Sequence, residues 1–247
     1  MTPDADTFQA LARSSPWRWT TLHFRQRATL LEDGVEAWVT RPGDLVVRDA
    51  AGETHRVNDR LGQGRAVVST AGAAVPHLPT WPQSVPPTYR PDGLVAVRPD
   101  GWEIQYDDPM WVNYRWVAAL DPVELSHGVE VRDVRRDLVD GRPALRASVR
   151  ALPGYAPRCG GNCCELIWSE AGRVCEVEDP ADAYIAPGYD YPDHYDVALD
   201  IETGIVVRCL PIGGDPDSPW LENHILDVDA DLNAALNHSD RLADPGG

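Results

Sequence analysis

Residues 195–209 read YDVALDIETGIVVRC, and this stretch has the pattern of an antiparallel β-hairpin. From Tyr195 to Leu199, every second side chain is apolar and the others are polar or small, which is typical of a strand with one buried face. The Thr-Gly pair at 203–204 favours a tight turn, and residues 205–207 begin a second strand. We therefore predict two antiparallel strands joined by a short turn.

The same alternation recurs at residues 35–49, and Asp-Gly pairs accompany other strand-like runs. Asp-Gly is favoured in two-residue turns because their central positions need a positive φ. The pairs lie at 33–34, 92–93, 100–101 and 140–141. We predict an α+β fold in which residues 1–247 form a single domain. Its core would be one strongly curved antiparallel β-sheet of about ten strands, an open half-barrel covered by a few helices.

The composition argues against several classes of protein. There are 39 acidic residues against 22 basic ones and a formal net charge of −17 at pH 7, and such a field repels nucleic-acid phosphates. No run approaches the roughly 18 apolar residues that a membrane span needs. The acidic start of the chain lacks the regions of a secretory signal. We expect a cytoplasmic protein that neither binds nucleic acid nor spans a membrane.

Three segments interrupt the strand pattern. Residues 72–92 are too rich in proline for a helix or a central strand, so we predict a long loop. Residues 108–127 predict a helical cover for the sheet, because apolar residues fall at helical spacing after Asp108, a favoured N-cap residue type. Residues 155–194 form a loop region rich in cysteine and tyrosine.

The Cys/Tyr-rich loop region carries the most specific chemistry in the chain. A structural zinc ion takes four nitrogen or sulfur ligands, and the clustered thiols could supply them, which makes zinc the candidate cofactor. A disulfide across the loop, or reduced thiols that only pack, are the alternatives. The residues concerned are Cys159, Cys163, Cys164 and Cys175.

No catalytic motif stands out in the sequence. It contains no Gly-rich phosphate loop, no G-x-S-x-G nucleophile elbow and no H-E-x-x-H metal motif. Carboxylates are too numerous for any pair to be singled out. We therefore expect a protein that is not an enzyme.

Three stretches resemble the lipoprotein-carrier family that includes LolA, LolB and the RseB-like sensors. Residues 36–45, EAWVTRPGDL, are similar to the family's early strand, Arg-Pro-Gly turn and next strand. Residues 196–204, DVALDIETG, look like its late strand and Thr-Gly turn, and residues 226–229, LDVD, look like its closing strand. The resemblance implies a half-barrel whose concave, helix-covered face binds an acyl chain, a lipid or a lipopeptide, without catalysis.

We predict a non-catalytic protein that holds an apolar small molecule or lipid-like ligand in the concave face of the sheet. Tryptophan and methionine suit an adaptable apolar pocket. The expected ligand-binding residues are Trp19, Trp38, Trp102, Met110, Trp111, Tyr114 and Val117. The alternatives are an acidic module that binds or inhibits a basic protein partner, and a zinc-binding protein built on the Cys159–Cys175 loop.

Overall fold

The computed structural model describes residues 1–58, 66–68, 74–76, 79–158, 164–175 and 188–232, with the backbone alone for the second and third of these ranges. The described strands are, in chain order, β1 (Thr21–Ala28), β2 (Leu31–Thr40), β3 (Asp44–Arg48), β4 (Thr54–Asn58), β5 (Ala66–Val68), β6 (Ala74–Pro76), β7 (Thr88–Tyr89), β8 (Val95–Val97), β9 (Val129–Val139), β10 (Arg142–Ala151), β11 (His194–Asp200), β12 (Val206–Ile212) and β13 (Leu221–Val228).

Nine of the described strands form one antiparallel sheet, in the order β4-β3-β2-β1-β13-β12-β11-β10-β9. The chain runs outward from β1 to the edge at β4, crosses to the opposite edge at β9, and returns strand by strand to β13, which pairs with β1. Because β4 and β9 are both edges, the sheet is not closed. The predicted α+β class and the open, curved antiparallel sheet are confirmed.

Three α-helices and three short 3-10 turns lie in the described ranges. They are α1 (Ala5–Ala12), α2 (Tyr114–Leu120) and α3 (Glu170–Cys175), with the turns at Ser15–Trp17, Pro82–Ser84 and Val123–Ser126. The carboxylate of Asp4 caps α1 by accepting a hydrogen bond from the main-chain N–H of Thr7 at 2.8 Å. No helix among these is long and apolar enough to cross a membrane.

The helical cover is shorter than the predicted range of residues 108–127. α2 begins at Tyr114, where Asn113 accepts a hydrogen bond from the main-chain N–H of Arg115 at 3.0 Å. The predicted cap at Asp108 is wrong, because the Asp108 carboxylate is bound by Arg41 instead. The helix stops at Asp121, before a proline that disfavours the helical conformation of the residue preceding it.

The sheet has an apolar inner face and a charged outer face. In β1, Leu22 and Phe24 are buried on the inner face, while Arg25 and Arg27 are exposed on the outer face. α1 packs against the inner face of the half that contains β9 to β11. α2 packs over the other half, where Trp116 contacts Phe24. The helices and the chain segments beside them therefore cover the inner face.

Candidate functional site

A cavity of about 170 Å³ lies on the inner face of the sheet, where β1 turns into β2. The side chains around it are mostly apolar, and three of them are tryptophans. They include Gln26, Ala28, Leu31, Trp111, Trp116 and Trp168. Two further lining residues, Leu30 and Val112, are 67% and 54% exposed. The cavity is therefore an aromatic-walled pocket that reaches the surface at an apolar rim.

Trp111 is placed by an unusual backbone turn before α2. Val112 has a φ of 64°, a conformation that β-branched residues rarely adopt because their side chain crowds the backbone. The turn leaves Val112 exposed, while the ring of Trp111 packs with the inner-face cluster and lies 4.9 Å from the ring of His55. Backbone strain of this kind concentrates at functional sites.

Val112→Gly is expected to raise the free energy of unfolding by about 0.5–1 kcal/mol. Glycine accepts a positive φ without the strain, and this gain exceeds the extra entropy that glycine gives the unfolded chain. Urea denaturation followed by circular dichroism measures the change. Val97→Gly is the control, because Val97 is similarly exposed but lies in β8, where glycine should destabilise. Equal destabilisation by both substitutions would contradict strain at Val112.

A buried carboxylate positions the segment that carries Trp168. Oε1 of Glu124 accepts hydrogen bonds from the hydroxyl of Tyr155 at 2.5 Å and from the main-chain N–H of Leu166 at 2.7 Å. Burial first, and then the charge of Glu124, raise the pKa of Tyr155 well above its ordinary value of 10.0, so the phenol keeps its proton and donates. These bonds tie the segment before Trp168 to the turn that follows α2.

The ring of Trp168 is also held by a cationic group and by other aromatic rings. The guanidinium of Arg173, from α3, lies 3.8 Å from the ring centroid, a favourable cation–π distance. The rings of Tyr189 and Tyr191 each lie 6.3 Å from it. This wall of the cavity is therefore supported from α3 and from the segment that precedes β11.

Four nitrogen donors around the cavity have no hydrogen-bond partner among the described residues. They are Nε1 of Trp111, Trp116 and Trp168, and Nη1 of Arg115. Arg115 is only 6% exposed, and its Nη2 donates to the main-chain oxygen of Glu165. Buried polar groups nearly always have partners. A group of such donors in the residues of one cavity therefore marks it as a candidate binding site.

Of the residues predicted to bind a ligand, Trp111 lines this cavity. Val117 lies in α2, and its side chain is buried in the core. Tyr114 is partly buried, and its hydroxyl donates to the carboxylate of Asp107 at 3.1 Å. Met110 is exposed and lies outside the cavity lining. The predicted helical face is thus divided between the core, the cavity and the surface.

The other three predicted tryptophans lie elsewhere. Side chains alternate along β2, so the strand that buries Val39 on the inner face directs Trp38 to the outer face, where its ring stacks on that of His23 at 4.7 Å. Trp19 is buried, with the guanidinium of Arg41 3.3 Å from its ring centroid. Trp102 is 65% exposed. The placement of Trp38 beside Trp19 on one concave surface was therefore wrong.

Sequence reasoning does not select Arg115, Trp116 or Trp168 for the site. It treats residues 108–113 as helical, and the real start of α2 at Tyr114 changes which side chains face the sheet. Trp168 falls in residues 155–194, which the sequence predicts as a loop region, and the structure has no regular element at residues 165–168. The useful signal was the excess of tryptophan, with nine in the chain against two phenylalanines.

The cysteines give no complete metal site in the part of the chain that is described. Cys159 and Cys163 lie outside it, while Cys164 is buried and Cys175 is exposed. Cys209 lies in the core, where burial raises the pKa of its thiol to about 12 and keeps it protonated at neutral pH. The zinc and disulfide hypotheses for the Cys159–Cys175 loop therefore stay predictions.

One group of side chains in the described ranges is close enough to hold a metal ion. Ligand atoms of Asp49, Glu53 and His55 lie within 4.8 Å of one another. Oδ1 of Asp49 accepts hydrogen bonds from the main-chain N–H groups of Ala51 and Glu53 at 3.0 and 2.9 Å, and Oδ2 lies 2.8 Å from Nε2 of His55. These bonds account for the group as part of the turn between β3 and β4.

Comparison with known proteins gives little further information. No protein-family model and no curated protein matches this chain. The crystal structure of LprF from Mycobacterium bovis is similar to it over 94% of this chain and 96% of that one, with 12% sequence identity and a TM-score of 0.33. With a TM-score and an identity this low, the resemblance to the lipoprotein-carrier family stays a prediction.

Proposed function

We propose that this protein is a non-catalytic binding protein that holds an apolar small molecule in the cavity walled by Trp111, Trp116 and Trp168. The aromatic lining of the cavity is the observation that carries the proposal. Ligand sites are typically concave and mostly apolar, with a few polar groups that fix orientation. Gln26 and Arg115 are such groups here.

The volume limits the size of the ligand. An apolar cavity of roughly 150 Å³ admits benzene, so about 170 Å³ fits one six-membered ring with a small substituent. It is smaller than the roughly 300–1,000 Å³ that drug-sized ligands occupy. A lipid-like ligand would place only the end of an acyl chain inside, and the rest would extend past the exposed rim of Leu30 and Val112.

The expected affinity is modest. Burial of apolar surface contributes about 25 cal/mol per Å², but association also costs translational and rotational freedom. For a ligand of the size of toluene we expect a Kd of roughly 0.1–1 mM. Titration calorimetry is suited to this range, and the tryptophan emission should change with the same midpoint, because three of the rings line the cavity.

Ala28→Leu is expected to abolish toluene binding, because the added methyl groups occupy part of the space above β1. Stability should be maintained, since filling an existing cavity commonly stabilises a fold. Ala51→Leu is the matched control, because Ala51 is exposed in the turn between β3 and β4, and this variant should bind toluene like the wild type. The function is not supported if wild type leaves toluene unbound, or if Ala28→Leu binds it normally.

A further inference from the structure

We propose that the natural ligand of this cavity carries a hydroxyl group, which donates a hydrogen bond to Oε1 of Gln26, so that the ligand class is a small neutral ring compound of the phenol type. This inference rests on the proposed function and adds the chemistry of the ligand's polar group. Two features of the cavity support it: neighbouring groups fix the orientation of the Gln26 amide, and its oxygen accepts no hydrogen bond from the described residues.

Gln26 and Asn223 form a polar pair on the otherwise apolar inner face of the sheet. They lie opposite each other where β1 pairs with β13, and they are only 3% and 1% exposed. Nε2 of Gln26 donates to Oδ1 of Asn223 at 3.0 Å, and Nδ2 of Asn223 donates to the main-chain oxygen of Val206 at 2.7 Å. Burial of two amides among apolar side chains is costly unless their polar atoms have partners.

The main chain of β12 fixes the direction of both amides. A main-chain oxygen can only accept, so the Asn223 atom beside the oxygen of Val206 must be Nδ2. Oδ1 of Asn223 must then be the atom that faces Gln26, and it needs a donor. Gln26 therefore directs Nε2 towards β13. If the nitrogen and oxygen of its amide were exchanged, two acceptors would lie against each other.

Oε1 of Gln26 is the acceptor that remains. It accepts no hydrogen bond from the described residues, yet it is not among their fully shielded polar atoms that lack a partner. It must therefore be in contact with accessible space. Gln26 is buried on the inner face, as is Ala28 two residues later in β1, and both residues line the cavity. The cavity is the accessible space on that face.

A hydroxyl group matches this acceptor better than other groups of similar size. A wholly apolar ligand would separate Oε1 from water without replacing the lost hydrogen bond. A carboxylate has no proton to donate to Oε1 at neutral pH. An ammonium group donates, but it would bring a second positive charge into a cavity that Arg115 also lines. A hydroxyl group donates without carrying a charge, and it is small enough to accompany one six-membered ring.

The test compares phenol with fluorobenzene, which has nearly the same size and shape but no hydrogen-bond donor. In a purely apolar cavity fluorobenzene would bind more tightly, because the hydroxyl group of phenol gives up its hydrogen bonds to water. Calorimetry with the wild-type chain at neutral pH should show the opposite order. We expect a Kd for phenol about fivefold lower than that for fluorobenzene, the gain typical of one net hydrogen bond.

Gln26→Met should reverse the order, so that fluorobenzene binds more tightly than phenol. Methionine is also unbranched, and its sulfur is only a weak acceptor. A change in cavity volume would affect both probes alike. Gln83→Met is the matched control and should keep the preference for phenol, because Gln83 lies outside the cavity lining and donates to the main-chain oxygen of Pro16 at 2.8 Å. Thermal melts establish that each variant is folded.

The outcomes separate this inference from the proposed function. If toluene and fluorobenzene bind but phenol binds no more tightly than fluorobenzene, the hydroxyl proposal is wrong and the apolar cavity stands. The same conclusion follows if folded Gln26→Met still prefers phenol. If Gln26→Met does not fold, the order of phenol and fluorobenzene on wild type decides the question. If none of the three probes binds, both proposals are wrong.

Discussion

Asp108→Ala is expected to lower the free energy of unfolding by about 3–5 kcal/mol, the usual cost of removing one partner of a buried ion pair. Nε of Arg41 donates to Oδ1 of Asp108 at 2.9 Å and Nη2 donates to Oδ2 at 2.7 Å. Both side chains are almost fully buried. The substitution would leave the guanidinium of Arg41 buried against the ring of Trp19 without its counter-charge.

Urea denaturation of Arg41→Met, Asp108→Ala and the double variant measures the coupling. The double variant should lose less stability than the two single losses combined, because it buries no uncompensated charge. Glu130→Ala is the control, since its pair with Arg132 is exposed and should be worth less than about 1 kcal/mol. If Asp108→Ala lost as little stability as Glu130→Ala, the ion pair between Arg41 and Asp108 would not hold the segment before α2 in place.

Asp121→Asn is expected to lower the free energy of unfolding by about 2 kcal/mol at neutral pH. Asp121 is fully buried, and Arg98 and Arg158 both donate hydrogen bonds to its carboxylate. Burial alone would raise the pKa of this carboxyl, but the two positive charges and their hydrogen bonds outweigh burial and lower the pKa from 3.8 to about 2. The charged form is therefore the one that stabilises the fold.

The direction of the pH dependence follows from this depressed pKa. The stabilisation is fully present above about pH 4 and is lost as the pH falls towards about 2, because protons bind the unfolded state first. Urea denaturation across that range should show a smaller acid-induced loss in Asp121→Asn than in wild type. Asp217→Asn, at an exposed position, should behave like the wild type. Equal acid sensitivity of Asp121→Asn and wild type would contradict the assignment.

The hairpin at residues 195–209 could be predicted because its signals are local. β11 ends at Asp200, whose Oδ1 accepts hydrogen bonds at 2.8 Å from both the main-chain N–H and the hydroxyl of Thr203. The turn chemistry and the alternation therefore agree within a few residues. The pairing of β1 with β13 has no such local signal, so the sequence could indicate the class of the sheet but not the order of its strands.

The site was harder to predict because distant residues determine it. Local spacing favoured a helix from Asp108, but the bond to Arg41, far away in the chain, holds Asp108 outside any helix. The prediction for Trp38 failed for a different reason. Side chains alternate along β2, so the apolar residues on either side of Trp38 already place it on the outer face. Arg115 carries no distinctive local pattern, since its importance arises only from burial.

The pairing of β1 with β13 has a consequence for biosynthesis. Leu22 pairs with Val228. The ribosome must therefore synthesise all the other strands of the sheet before β1 and β13 can pair. Until then, β1 and β12 each present an unpaired edge, and such edges favour aggregation. Contacts this distant in sequence also slow folding. The two halves of the sheet can therefore join through β1 and β13 only after β13 has been synthesised.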